Sequence, residues 1–185
     1  MADVALLLQA VGFAAHKHRD QRRKDKDASP YINHPIEVAK VLATMGGVTD
    51  LSTLIAAVLH DTVEDTNTTF PELEKLFGKE VRLLVEEMTD DKKLPKEERK
   101  RLQVAHARRL SEKAKQIKIA DKICNILDIT NSPPANWPLE RKEGYLDWAE
   151  KVVEGCRGFN PNLERYFDEV LRQGWLKIEH SRVTL

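Results

Sequence analysis

The 185 residues carry 30 Lys and Arg against 30 Asp and Glu, with 41% hydrophobic residues and two cysteines. A net charge of zero argues against a nucleic-acid-binding surface over the whole protein, though not against a local basic pocket. No apolar run reaches the roughly 18 residues that span a bilayer, and no signal peptide or lipidation motif stands out. The expectation is one cytoplasmic domain over residues 1–185, with Cys124 and Cys156 as reduced core thiols.

The first helix spans about residues 3 to 20, on the repeat of Val4, Leu7, Leu8, Val11, Ala14 and Ala15. His16 and His18 follow on a charged stretch and read as a solvated polar face. From Gln21 to Pro30 there is no apolar period. This segment is either a solvated loop or a phosphate-binding lip, since Arg forks suit phosphate oxygens. Pro35 falls in the first turn of the next helix, where a missing N–H costs little, which puts His34 at that helix's entrance. The helix ends near Gly46-Gly47.

A central helix starts after Asp50 or Ser52 and runs to about Asp65-Thr66. Leu51, Leu54, Ile55, Val58 and Leu59, with Ala56 and Ala57 between them, make it apolar on nearly every side, the mark of a buried helix. Its end nevertheless carries His60, Asp61, Glu64 and Asp65. At about 100° per residue these fan across one sector. Buried ionisable groups need partners or a metal.

Thr69-x-x-Glu72 with Pro71 opens another helix as a capping box, and Gly78 closes it. A further helix covers Val81 to Met88. Asp90 to Lys96 breaks the pattern, and Lys92, Lys93 and Lys96 can close over an anion. The charged helix from Glu97 to about Leu110 reads as a solvated face. From Ala114 to Thr130, Ile119, Ile123, Ile126 and Leu127 form one side, with Asp121, Asn125 and Asp128 on the other. A surface and a pocket-facing place for Asp121 are equally open on this pattern. The last two helices begin at Trp137-Pro138 and at Pro161, the latter ending near Arg172, and their aromatics read as core. The fold class is all-α, a single helical bundle with room for one short β-hairpin near residues 20–32.

The groups left over are His34, His60, Asp61 and Asp121, with Glu64 and Asp65 beside them. Two imidazoles and two carboxylates suit a first-row divalent metal, and the cysteine spacing excludes a thiolate zinc cage. Four ligands on a six-coordinate ion leave places for water and a substrate oxygen, the arrangement a hydrolase needs. Glu64 and Asp65 then orient the water or accept its proton. An upstream His, a His-Asp pair ending an apolar helix and a distant helical Asp define the HD-type phosphohydrolase pattern.

With Gln21-Arg22-Arg23-Lys24-Asp25, Tyr31-Ile32-Asn33-His34-Pro35, Leu59 to Thr66, Glu86 to Lys92 and Ile119-Ala120-Asp121-Lys122, the chain resembles the hydrolase domain of RelA/SpoT alarmone enzymes. The likeness is strongest to the free-standing small alarmone hydrolases of the metazoan SpoT-homologue type. That resemblance implies one ion per chain, usually manganese, on His34, His60, Asp61 and Asp121, with Glu64 and Asp65 activating water. It implies substrate contacts from Arg23, Lys24 and Asn125, and more loosely from Lys96, Arg141 and Tyr145. Leu127 departs from the pattern, because relatives usually carry Arg there. The implied activity is removal of the 3′-diphosphate of (p)ppGpp, giving GDP or GTP and pyrophosphate. The alternatives are an NADPH 2′-phosphatase using the same site and a catalytically weak nucleotide sensor. No nucleic-acid or membrane partner is expected.

Overall fold

The computed structural model describes residues 2–134 and 136–183, and among them only helices form regular elements. In chain order these are α1 (Ala2–Lys17), α2 (Asn33–Thr44), α3 (Leu51–Leu59), α4 (Thr62–Asp65) and α5 (Phe70–Phe77). They continue as α6 (Lys79–Met88), α7 (Lys96–His106), α8 (Glu112–Asn131), α9 (Leu139–Glu154) and α10 (Pro161–Val183), with one 3-10 turn at Ala107–Arg109. The hairpin expected near residues 20–32 is reduced to one antiparallel bridge, Arg22 to Pro30. Asp25 bends the loop between them by accepting from the Asp27 and Ser29 amides at 3.0 and 3.1 Å.

Helix starts follow side chains that take orphan amides. Asp50 accepts from Thr53 N, Thr69 from Glu72 N and Ser111 from Ala114 N. Gly78 separates α5 from α6 at φ 89°, a backbone region costly for other residues. The layers assemble around α8, which packs on α2, α3, α6, α9 and α10, while α3 also meets α1, α2 and α6. Ile55, Leu59, Ile119, Ile123 and Phe167 are fully buried in this shared core, and both cysteines are buried free thiols.

Three expectations need correction. The central helix is not continuous, because α3 ends at Leu59 and α4 begins at Thr62. His60 Nδ1 donates to the Ala57 carbonyl at 2.7 Å and Thr62 Oγ1 to the Leu59 carbonyl at 2.7 Å. Side chains thus take carbonyls that helical amides would otherwise use. His18 is not solvated: it is buried against Tyr31, with its Nδ1 2.7 Å from Gln21 Oε1, while His16 is exposed. The last helix runs eleven residues past Arg172 to Val183. Beyond that expected end Ile178 is buried, continuing the inward apolar stripe of Val170 and Leu171.

Gly155, at the end of α9, lies against the Ala107 turn, where an added Cβ would sit 2.6 Å from Ala107 Cβ. Gly155→Ala should therefore destabilise the protein by about 1–3 kcal/mol, the usual penalty for overpacking. Urea unfolding at equal m-value measures it, and an unchanged midpoint would contradict the close packing described.

Candidate metal centre

The start of α2, the break between α3 and α4, and the middle of α8 converge on one spot. His34 lies in the first turn of α2, His60 and Asp61 occupy the break, and Asp121 projects from α8. One ligating atom each from His34, His60 and Asp121 lie within 4.8 Å of one another, and all three residues are buried. Asp61 closes the fourth side, with its Oδ2 3.2 Å from His60 Nε2 and 3.9 Å from His34 Nε2. His34 Nε2 is 3.2 Å from Asp121 Oδ1.

The donors suit a divalent cation on grounds of this geometry. His60 spends its Nδ1 proton on the Ala57 carbonyl, which turns Nε2 toward the carboxylates, and Nε2 has no hydrogen-bond partner among the described residues. Asn125 Nδ2 donates to Asp121 Oδ1 at 2.6 Å, Lys122 Nζ to Asp121 Oδ2 at 3.0 Å, and Tyr31 Oη to Asp61 Oδ2 at 2.5 Å. Such outer hydrogen bonds fix ligand orientation in metal sites. His34, His60 and Asp121 form the group whose geometry suits an ion, with Asp61 beside it.

Charges on the metal-free cluster follow from these contacts. Burial disfavours an imidazolium at His60, but Asp61 and Asp121 outweigh it and push the group up to about 9. Burial holds His34 below its ordinary value despite Asp121 and Asp61. Against burial, His60 keeps the Asp61 carboxyl far below the usual range, and Lys122 does the same for Asp121.

The acidic pair divides at the helix break. Glu64 lines the same roughly 190 Å³ cavity as the cluster, along with Arg99, Lys118 and Lys122. Burial raises the Glu64 carboxyl, while the Asp90 amide donates to it at 3.1 Å and Arg99 pairs with it at 3.3 Å. Asp65 faces another way. It accepts from Gln21 at 3.0 Å, pairs with Lys92, and lines a neighbouring cavity of about 340 Å³.

That second cavity also takes in Arg23, Lys24, Asn125 and Tyr145, and it shares Tyr31 and Asn125 with the cluster's cavity. Arg23 pairs with Asp128 and lies 5.6 Å from the Tyr31 ring centroid. A third cavity of about 240 Å³ holds Lys96, Arg141 and Tyr145 and meets the cluster through Asp90, Arg99 and Gln103. Burial and the neighbouring Arg141 lower the Lys96 ammonium's pKa. Arg141 stacks 4.1 Å from Trp137, so the aromatics read as core are partly cavity wall. Leu127 is half-buried and, with Glu37, Cys124 and Asp128, walls a further cavity.

Sequence reasoning gave no role to Lys118, Lys122, Arg99 or Tyr31 in this site. The helical signal was present: Lys118, Asp121, Lys122 and Asn125 are spaced i, i+3, i+4 and i+7, which puts them on one face of α8.

The family model described as HD domain matches residues 10–146. The guanosine-3′,5′-bis(diphosphate) 3′-pyrophosphohydrolase MESH1 of Xenopus tropicalis is 54% identical, with 91% of this chain and 94% of that protein covered. The human protein of the same name is 51% identical, with 96% and 99% covered. A solved structure described as a metazoan ortholog of SpoT that hydrolyzes ppGpp superposes with a TM-score of 0.88 at 49% identity, covering 91% of this chain and 95% of that one.

Because His60 carries a proton in the metal-free protein up to about pH 9, a bound divalent ion has to displace it. Metal affinity should rise with pH between 7 and 9, by up to about tenfold per unit, with about one proton released per ion at pH 7. Calorimetry in buffers of different ionisation enthalpy reads the release, and buffer-independent heats would contradict the assignment.

Proposed function

The chain belongs to the HD-domain family, and from that premise we propose that it is a metal-dependent hydrolase removing the 3′-diphosphate of (p)ppGpp. The products are GDP or GTP and pyrophosphate, and the ion is manganese, one per chain. The observation that carries this reading is that the imidazole–carboxylate cluster's cavity shares wall residues with two cation-bearing cavities. A nucleotide phosphorylated at both ends needs such a layout, with a base and ribose on one side and charge-bearing walls on the other. The names carried by the relatives support the substrate.

His34, His60, Asp61 and Asp121 hold the cation, which when bound polarises a phosphoryl oxygen and lowers the pKa of water. Glu64 takes the proton of the attacking water, and its half-buried carboxylate is held in place by Arg99 and the Asp90 amide. The water oxygen joins the phosphorus, the bond from phosphorus to ribose O3′ breaks, and O3′ receives a proton. Asp65 helps to order the site by tying together Gln21 and Lys92. Arg23 and Lys24 meet nucleotide phosphates, with Arg23 exchanging Asp128 for substrate. Asn125 lines the nucleotide cavity while steadying Asp121, and Tyr145, Lys96 and Arg141 meet the far end.

We place the enzyme in the cytoplasm, in keeping with its two free buried thiols. We read the whole chain as a single domain, supported by an apolar cluster reaching from Ala10 to Ile178.

Purified protein with manganese should release pyrophosphate and GDP from ppGpp in equal amounts and stop on chelation. Intact ppGpp after incubation with folded, manganese-loaded protein would overturn the reading. Parallel incubation with NADPH separates the diphosphate from the 2′-phosphate activity. Asp121→Ala should empty the metal site, whereas Glu64→Ala should keep the metal and slow turnover by about 10²-fold or more. Equal metal loss in both variants, measured by elemental analysis, would refute the division of roles.

A further inference from the structure

Three cations line the cavity that holds the metal cluster: Arg99, Lys118 and Lys122. Two of them are committed to acids. Arg99 pairs with Glu64 at 3.3 Å, and Lys122 donates to Asp121 at 3.0 Å while lying 4.3 Å from the Trp148 ring centroid. Lys118 is only 5% exposed, yet no described residue forms a hydrogen bond or ion pair with it. Burial, and then the neighbouring Lys122, lower its pKa, with Asp121, Asp90 and Asp61 pulling the other way from a distance.

A buried ammonium without a partner is costly and calls for something that repays it. On α8, Lys118 lies one turn before Asp121 and two before Asn125, on the face that lines the cavity. The same cavity has a second unmet donor, because Arg99 Nε is buried and without a partner among the described residues. Two unmet cationic donors beside a metal cluster suit a ligand with several anionic oxygens.

We propose that Lys118 binds an oxygen of the diphosphate that leaves the ribose, with Arg99 Nε as the companion donor. The inference rests on the hydrolase reading and deepens it: the site is built to receive a diphosphate, beyond what a single phosphate needs. When the bond from phosphorus to O3′ breaks and water's oxygen takes its place, the departing pyrophosphate carries its charge toward Lys118. Asp90, Gln103 and Arg99 line the opening from there to the cavity of Lys96 and Arg141.

The test compares the parent protein with Lys118→Met and Lys118→Arg, all loaded with manganese. It measures metal content, ppGpp turnover, and binding of inorganic pyrophosphate and of GDP by calorimetry. Lys118→Met should keep its metal and its GDP affinity, bind pyrophosphate at least about tenfold more weakly, and turn over about 10²-fold more slowly. Lys118→Arg should recover part of the pyrophosphate binding. Parental pyrophosphate binding in Lys118→Met overturns the proposal, as does a joint loss of metal, GDP and pyrophosphate binding, which marks a structural role. Should Lys118→Met fail to fold, Lys118→Gln is judged by the same criteria. A folded, loaded parent that leaves ppGpp intact removes the hydrolase reading, and the assignment of Lys118 falls with it.

Discussion

Two carboxylates, Asp61 and Asp121, lie against the same two buried imidazoles, and the rest of the molecule is arranged to tolerate that concentration of charge. Acids in a shared low-dielectric pocket repel each other, and burial adds to the cost. In the metal-free chain the countercharge comes from a protonated His60 and from Lys122. A divalent ion does the same work with one centre and without a proton. The cluster is thus a site where a cation replaces a compromise already present in the protein.

Rigidity at His60, Asp61 and Asp121 comes from hydrogen bonds that limit the directions these side chains can face. The Ala57 carbonyl sets the His60 tautomer, Asn125 and Lys122 hold the two oxygens of Asp121, and the Tyr31 hydroxyl holds Asp61. These partners come from α3, α8 and the loop before α2, so the cluster depends on the packing of α2 and α3 on α8. Charged groups outside the core follow a similar rule, with Glu64 tied to Arg99, Asp65 to Lys92 and Arg23 to Asp128. Of the cations that meet phosphate in the proposed reaction, Arg23 is exchanged from Asp128, whereas Lys118 waits without an acid.

The break between α3 and α4 gives the acidic pair its two environments. A continuous helix would put Glu64 and Asp65 in one sector with His60 and Asp61. The side chains of His60 and Thr62 capture the carbonyls of Ala57 and Leu59, the helix stops at Leu59, and the next turn starts at Thr62. Glu64 then lines the cluster's cavity and Asp65 the neighbouring one. Two adjacent acids thereby line different cavities, and Asp65 braces the loop at Gln21 and the turn at Lys92.

Much of this was legible in the sequence, because helix period, caps and stops are local. The repeat of Leu54, Ile55, Val58 and Leu59 marked α3 as buried, Asp50, Thr69 and Ser111 are residue types that cap helices, and four ionisable residues on apolar helices had to converge on something. Tertiary structure decided what depended on neighbours distant in the chain. Nothing near His18 in the sequence shows that Tyr31 packs over it. The extent of α10 beyond Arg172 was settled by the core that receives Ile178. The charged face of α8 could have met solvent, and only the packing of its neighbours buried Lys118 and Lys122 beside Asp121. Local pattern specifies which way a side chain leaves its own helix. Whether that direction ends in water, in an acid or in a cavity is set by the other helices, whose contacts are long-range and carry no local signature.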